Sequence, residues 1–294
     1  MLAIMCRAAI GSVVCLLWLA CPARAAEDLF FDSDGVKLRY MVEGEGEPVL
    51  LIHGLGASAQ LQWALPGTLK ELAENYHVIA YDNRGHGRSG KPHREEKYGE
   101  EMVGDAIRLL DHLDIPRAHI VGYSMGAIIT CRLLVEHPER FFTATLGGAG
   151  WVKPDDERAA FMEDVIASLE QGKGIRPLLL KLTLPDRPQP SETKLKVANV
   201  AFGLLNDQKA LAAVARGMKK LTVTEEQLKA NRVPTLAVIG EDDPLKVTVD
   251  ELVAVMPNVE LTVIKDADHV QAFRTPEFAA RIKSFLAEHP QSAR

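Results

Sequence analysis

The chain has 294 residues, 47% of them hydrophobic and 25% charged, a globular balance with enough apolar material for one large domain. Its formal net charge of -6 supplies no basic face for a phosphate backbone, so nucleic acid is excluded as an expected partner. CxxC and HExxH spacings are absent, so no metal site is expected.

The first residues, MLAIMCRAAIGSVVCLLWLACPARAAEDL, place a cation at Arg7, an apolar run from Ala8 to Ala20, and the small-x-small pattern Ala23-Arg24-Ala25. That is the pattern of a secretory signal peptide occupying residues 1–26, with cleavage expected after Ala25 or Ala26. The run is short for a membrane span, so export to the periplasm or medium ranks above an uncleaved anchor, and the mature form is expected to lack a span. Trp18-Leu19-Ala20 fits a lipid-attachment box before Cys21 poorly, which places lipidation below simple export. Cys6, Cys15 and Cys21 fall in this leader, leaving Cys131 alone. No intramolecular disulfide is then possible, and Cys131, on an apolar helical stretch, reads as a small buried residue.

LFF and VKLRYMVEG flank Asp34-Gly35, a hairpin signal. PVLLIHG and HVIAYD are continuous apolar runs separated by a helical stretch near Thr68 to Asn75. Strands of that kind are covered on both faces, and intervening helices make them parallel. A helix near Glu100 to Leu113, the strand AHIVG and a helix from Met125 continue the alternation, and FTATLGG adds a strand. The expected architecture is a doubly wound, mostly parallel α/β sheet. From Ala149 to Arg232 helix periods take over: Phe161, Met162, Val165 and Leu169 form one stripe, Leu195, Val200 and Leu204 a looser one, and Leu211, Val214 and Met218 a third. Thr224 and Gln227 form a capping box. We read residues 149–232 as a helical lid inserted into a core of residues 27–148 and 233–294. VPTLAVIG and VELTVIK resume the strands around a helix near Val247 to Met256, and a helix with Thr275 as N-cap and Pro276 at its first position closes the chain.

Gly122-Tyr123-Ser124-Met125-Gly126 falls where a strand turns into a helix. A side chain on so tight a turn is pushed out at the carboxyl edge of the sheet, and the glycines are needed where a Cβ would strike neighbouring backbone. Serine becomes a nucleophile only with a base, and the base needs an orienting carboxylate. Gly240-Glu241-Asp242-Asp243-Pro244 and Asp266-Ala267-Asp268-His269 follow later strands, with Asp243 preceding His269 by 26 residues. That separation accommodates one helix, one strand and their loops. Asp243 is preferred over its neighbours Asp242 and Glu241.

LIHGLG, YDNRGHGRSG, GYSMG, GEDDPL and DADHV together resemble the serine hydrolases of the α/β-hydrolase superfamily, in the group with a lid after the sixth strand; the likeness runs from about Leu29 to Pro290. The resemblance implies a Ser124, Asp243, His269 triad, an oxyanion hole made by the backbone N–H groups of Leu55 and Met125, and no metal or organic cofactor. It implies a small-molecule substrate, a carboxylic ester first. Carbon–carbon bond hydrolysis or cofactor-free perhydrolysis on the same triad is the enzymatic alternative, and a non-catalytic ligand-binding protein the alternative of another class. Serine at the nucleophile position argues against dehalogenase and epoxide hydrolase chemistry, which in this superfamily use aspartate there.

Asp82, Arg84 and His86 are expected to tie loops together, His53 to make a structural hydrogen bond in preference to a contact with substrate, and Asp268 to add charge beside the triad. His77, His112, His119 and His137 read as surface or loop residues. Leu178, Leu179, Leu180 and Leu182 fit either an acyl pocket or ordinary packing, and Trp151 either a pocket wall or a hinge. For the leader, N-terminal sequencing of exported material is expected to begin at Ala26 or Glu27; a start at Met1 would overturn cleavage.

Overall fold

The computed structural model describes residues 28–154, 160–184, 186 and 188–290; the expected leader lies outside them. Asp34 and Gly35 adopt φ of 52° and 75°, the left-handed pair that turns a hairpin tightly. They join β1 (Leu29–Ser33) antiparallel to β2 (Val36–Glu43). Six further strands follow: β3 (Glu47–Ile52), β4 (Tyr76–Tyr81), β5 (Ala118–Tyr123), β6 (Phe141–Gly147), β7 (Thr235–Gly240) and β8 (Val259–Ile264). The sheet order is β1-β2-β4-β3-β5-β6-β7-β8, and every pairing from β4 to β8 is parallel.

This order puts β4 on one side of β3 and β5 on the other. Successive connections from β3 therefore run to opposite sides, and a crevice opens beyond the carboxyl ends of β3 and β5. The Val, Leu and Ile runs explain why these two strands lie at the centre: from Val49 to Ile52 and from Ala118 to Tyr123 every residue is buried, as a strand covered on both faces requires. One face packs on α1 (Thr68–Ala73) and α10 (Pro276–Ala287), with Trp63 and Phe278 in its core. The other packs on α2 (Glu100–His112) and α3 (Met125–Glu136). β8, the edge opposite β1, is half-exposed.

Between β6 and β7 the chain forms α4 (Phe161–Glu170), α5 (Arg176–Lys181), α6 (Glu192–Leu205), α7 (Gln208–Met218) and α8 (Glu225–Ala230); α9 (Lys246–Val255) joins β7 to β8. Val165, Leu169, Leu211 and Val214 are buried as their stripes predict, and Thr224 and Gln227 form the capping box. The stripe on α6 is different. Leu195 is buried, but Val200 and Leu204 are 65% and 82% exposed, and Phe202 turns inward instead. The reason is rotation: five residues on from Leu195 is about 140° round a helix, whereas seven residues on returns to nearly the same face. The short helix α5 carries no periodic signal of its own. His119 is a second correction. It is fully buried on β5, with Nδ1 2.8 Å from Thr143 Oγ1 and Nε2 3.2 Å from Glu47 Oε2, so a polar residue inside a central strand is paid for by two partners. Among the described residues no helix is long and apolar enough to cross a membrane.

A buried polar cluster fastens the loop after β4 to the helical face. Arg84 donates through Nε and Nη2 to the two oxygens of Asp105, both at 2.7 Å, and through Nη1 to the carbonyl of Lys97. Ser33 Oγ donates to the same carboxylate, and Arg108 reaches it at 3.1 Å. Arg84 and Asp105 are both inaccessible to solvent. Removing one member strands the other charge in a dry site. Arg84→Met is therefore expected to lower unfolding free energy by about 3–5 kcal/mol, measured by urea denaturation.

Candidate active site

Ser124 begins at the carboxyl end of β5, and the chain must reverse into α3 without moving away from β3. A Cβ at Gly126 would sit 2.0 Å from the carbonyl oxygen of Ile52, and one at Gly122 would sit 2.1 Å from the carbonyl of Gly126. Neither position accepts a side chain. Ser124 itself is held at φ 55° and ψ -115°, a region costing an ordinary residue on the order of 1–3 kcal/mol. Its N–H is tied to the carbonyl of Gly147 at 2.7 Å, while its carbonyl accepts from Ala127 of α3 at 2.9 Å. The strain is held on both sides, and the hydroxyl projects into the crevice.

The loops after β7 and β8 are laced to each other. Glu241 and Asp242 donate backbone N–H groups to the carbonyls of Ile264 and Ala267, at 2.8 and 3.0 Å. A Cβ at Gly240 would lie 2.1 Å from the Ala267 carbonyl. This approach brings Asp243 Oδ2 to 2.8 Å from His269 Nδ1, and His269 Nε2 to 3.1 Å from Ser124 Oγ. Asp243 is buried, and its other oxygen accepts from the N–H of Leu245 at 2.9 Å. With Nδ1–H directed at a carboxylate, Nε2 is the imidazole nitrogen able to take the serine proton. Tyr123 donates its hydroxyl to the His269 carbonyl at 2.7 Å and packs its ring beside the imidazole. Asp242 is not in the relay. Asp268 accepts from the N–H groups of Val270 and Gln271 and so shapes the turn that carries His269.

Leu55 and Met125 both border the crevice beside Ser124. Neither N–H has an acceptor within the backbone network of the described residues; for Met125 this follows from its place as the first residue of α3. The orientation of the Leu55 N–H is set by its neighbours. In a trans peptide N–H and C=O point opposite ways, and the carbonyl of Gly54 accepts from His53 Nδ1–H at 2.8 Å and from the N–H of Ala57 at 3.2 Å. Gln62, buried on the turn after β3, takes the Gly54 N–H on its Oε1 at 2.8 Å. Gln62 and Tyr123 are residues the sequence reading missed, because neither sits in a motif position with a side-chain role.

His53 is held as the neutral tautomer, since its Nε2 accepts the N–H of Asn83 at 3.0 Å. Burial pulls its pKa down to about 4, and burial together with the neighbouring His53 pulls that of His86 down to about 3. Asp82 accepts from the N–H groups of Ala59 and Arg88, tying the loop after β3 to the loop after β4. Asp82, Arg84, His86 and His53 thus hold loops in place, as read from the sequence. Cys131 is buried, and burial raises its thiol to about 12, far from a reactive thiolate.

The crevice leads into a cavity of about 690 Å³. Leu178, Leu179 and Leu182 line it, with Phe161, Phe202 and Met218. Leu180 does not border it. Trp151 serves both alternatives, lining the cavity while its Nε1–H donates to the Val223 carbonyl at 2.8 Å.

Residues 47–275 match the model of the alpha/beta hydrolase fold family, and the chain belongs to that family. It is similar, at 30% identity over 84% of its length and 89% of the relative's, to a 2-hydroxymuconate semialdehyde hydrolase of Pseudomonas putida. At 29% identity over 89% of this chain and 70% of the relative, it resembles a dihydrolipoyllysine-residue acetyltransferase component of an acetoin cleaving system from Cupriavidus necator. Among solved structures it is similar to Est816, an N-acyl homoserine lactone degrading enzyme, with 29% identity, a TM-score of 0.70, and coverage of 88% of this chain and 100% of that one.

The two buried histidines set an acid limit. The unfolded chain takes up protons near pH 6.5 that the folded state refuses until about pH 4 or 3, so stability is full above pH 6.5 and falls as pH drops below it. Each histidine contributes a slope of about 1.4 kcal/mol per pH unit in that window. Urea denaturation stepped from pH 7 to pH 4 is expected to show this decline, and a shallower one in His53→Asn.

Proposed function

We propose that the protein is a serine hydrolase that cleaves a small-molecule carboxylic ester through an acyl-enzyme. The observation that carries this reading is the continuous relay from Asp243 through His269 to Ser124. Ser124 Oγ attacks the ester carbonyl and passes its proton to His269 Nε2. The negative charge that develops on the carbonyl oxygen meets the N–H groups of Leu55 and Met125. Collapse expels the alkoxide, which receives the proton from His269, and Asp243 stabilises the transient imidazolium. Water, activated by the same histidine, then attacks the acyl carbon and restores Ser124. Each step uses only groups of this chain, substrate and water.

The similarity to Est816 supports this class, since a lactone is a cyclic carboxylic ester. Similarity to the 2-hydroxymuconate semialdehyde hydrolase supports a second reading, carbon–carbon bond cleavage on the same triad. The apolar cavity favours an uncharged acyl chain over a polar one, and we read the helices between β6 and β7 as the lid that closes over it.

Short p-nitrophenyl esters are expected to be turned over and a fluorophosphonate probe to label the protein, with both lost in Ser124→Ala. Hydrolysis that survives this change would overturn the assignment. Asp243→Asn is expected to lower kcat by about three to four orders of magnitude, while Asp242→Asn leaves it nearly unchanged; steady-state kinetics of the two variants decides which carboxylate orients His269. Faster cleavage of 2-hydroxymuconate semialdehyde than of any ester would favour the second reading.

A further inference from the structure

We propose that the face carrying the cavity mouth docks on an anionic lipid surface, from which the enzyme draws an apolar ester. The starting observation is where large apolar side chains meet water. Twelve among the described residues are exposed, and eight of these fall into two groups near the cavity. Leu61, Leu65, Val247 and Val270 both border the cavity and are exposed, which makes them its rim. Val197, Val200, Leu204 and Leu205 lie on α6 and are 63–82% exposed. That helix is seated on the loop after β3: Phe202 borders the cavity, and Asn206 Nδ2 donates to the Gly56 carbonyl at 3.3 Å.

A helix lying on a protein in water carries charged residues on its outer face. From Val197 to Leu205 this helix has none, and Val197, Val200, Leu204 and Leu205 face water with most of their surface. Concentrated apolar exposure of this kind marks an interaction surface. At the cavity itself the permanent charges are cationic. The cavity wall contains three permanently charged side chains, Lys181, Lys219 and Arg274, and no carboxylate. Lys194 and Lys196 stand exposed on α6 immediately before the uncharged run. Two nearby acids are engaged in ion pairs, Glu163 with Lys219 and Glu192 bidentate on Arg176 at 2.7 Å. A protein with a net charge of -6 thus keeps carboxylates off its cavity wall and sets Lys181, Arg274, Lys194 and Lys196 beside the mouth. An apolar surface fringed by lysines is the arrangement that lies in the headgroup region of an anionic bilayer.

The position of the mouth decides between occupants. Whatever covers the rim also covers the way to Ser124, so a second protein seated there would close the site. A lipid surface leaves it open to the molecules dissolved in that surface, and the apolar cavity behind the rim accepts them without crossing water.

The test compares the full chain with its Val200→Glu/Leu204→Glu variant, two outward positions that touch neither the triad nor the cavity. Flotation with phosphatidylcholine vesicles containing phosphatidylglycerol is expected to recover the parent protein and at least tenfold less of the variant, with weaker recovery of the parent on pure phosphatidylcholine or in high salt. A second readout is independent of any contribution from the N-terminal residues: the rate on p-nitrophenyl palmitate dispersed in the mixed vesicles, divided by the rate on soluble p-nitrophenyl acetate. This ratio is expected to fall at least tenfold in the variant while the acetate rate stays the same. An unchanged ratio overturns the proposal, as does a concentration-dependent dimer in sedimentation that the two substitutions abolish. Recovery on pure phosphatidylcholine equal to that on the mixed vesicles overturns the role of charge. The rate ratio rests on the reading of Ser124 as nucleophile; absence of acetate hydrolysis by the parent would defeat that reading and leave the flotation result to stand by itself.

Discussion

The contact on which the site depends is the one between the start of α3 and the end of β3. With no side chain at Gly126, the first turn of the helix lies against the carbonyl of Ile52, and the loop that follows β3 must pass beside Ser124. Three things follow from this one approach. The serine is forced into a left-handed backbone conformation that projects its hydroxyl, the first N–H of α3 is left without an acceptor, and Leu55 comes to border the same crevice. A methyl group at Gly126 would push the helix off the strand and separate all three.

Close packing of backbones places loops but does not orient them, and here buried polar side chains supply the orientation. His53 and Gln62 take the carbonyl and the N–H of Gly54, Asp82 joins the loop after β3 to the loop after β4, and Arg84 locks that second loop onto Asp105 of α2. Every one of these groups is buried, so each hydrogen bond is made in a medium where leaving it unmade is costly. The rigidity of the proposed oxyanion hole and the acid sensitivity expected of the fold therefore have a common origin. Two neutral histidines packed at 5.0 Å between ring centres hold the loops while they remain uncharged.

The sheet was legible in the sequence because strands buried on both faces have no choice of composition: the Val, Leu and Ile runs of β3, β4, β5 and β7 carry no alternating polar residues. The turn at Asp34-Gly35 and the caps at Thr224 and Thr275 were legible because each is a local hydrogen-bonding problem with few solutions. Where the sequence misled, the deciding contact was distant. Leu195, Val200 and Leu204 look like a stripe when apolar residues are counted, but α6 is rotated by the seating of Phe202 and Asn206 on the loop after β3, and two of the three point outward. His119 reads as an edge residue until Thr143 and Glu47, from two other strands, are found beside it. Gln62 carries no signal at all, since its partner is a backbone N–H eight residues earlier.

The sequence by itself determined the order and type of the core elements and placed Ser124, Asp243 and His269 after three of its strands, because apolar periodicity and the spacing of glycine, acid and histidine are properties of the linear chain. It also determined that Ser124 stands on a tight turn, since glycines at Gly122 and Gly126 have no other local purpose. Position in the chain already favoured Asp243 over Asp242, and the tertiary structure turns the Asp243 carboxylate toward His269, because adjacent carboxylates differ in the direction the folded loop gives them. The tertiary structure alone decided that the uncharged run of α6 faces outward beside the cavity mouth, because the rotation of a helix about its own axis is set by what it packs against.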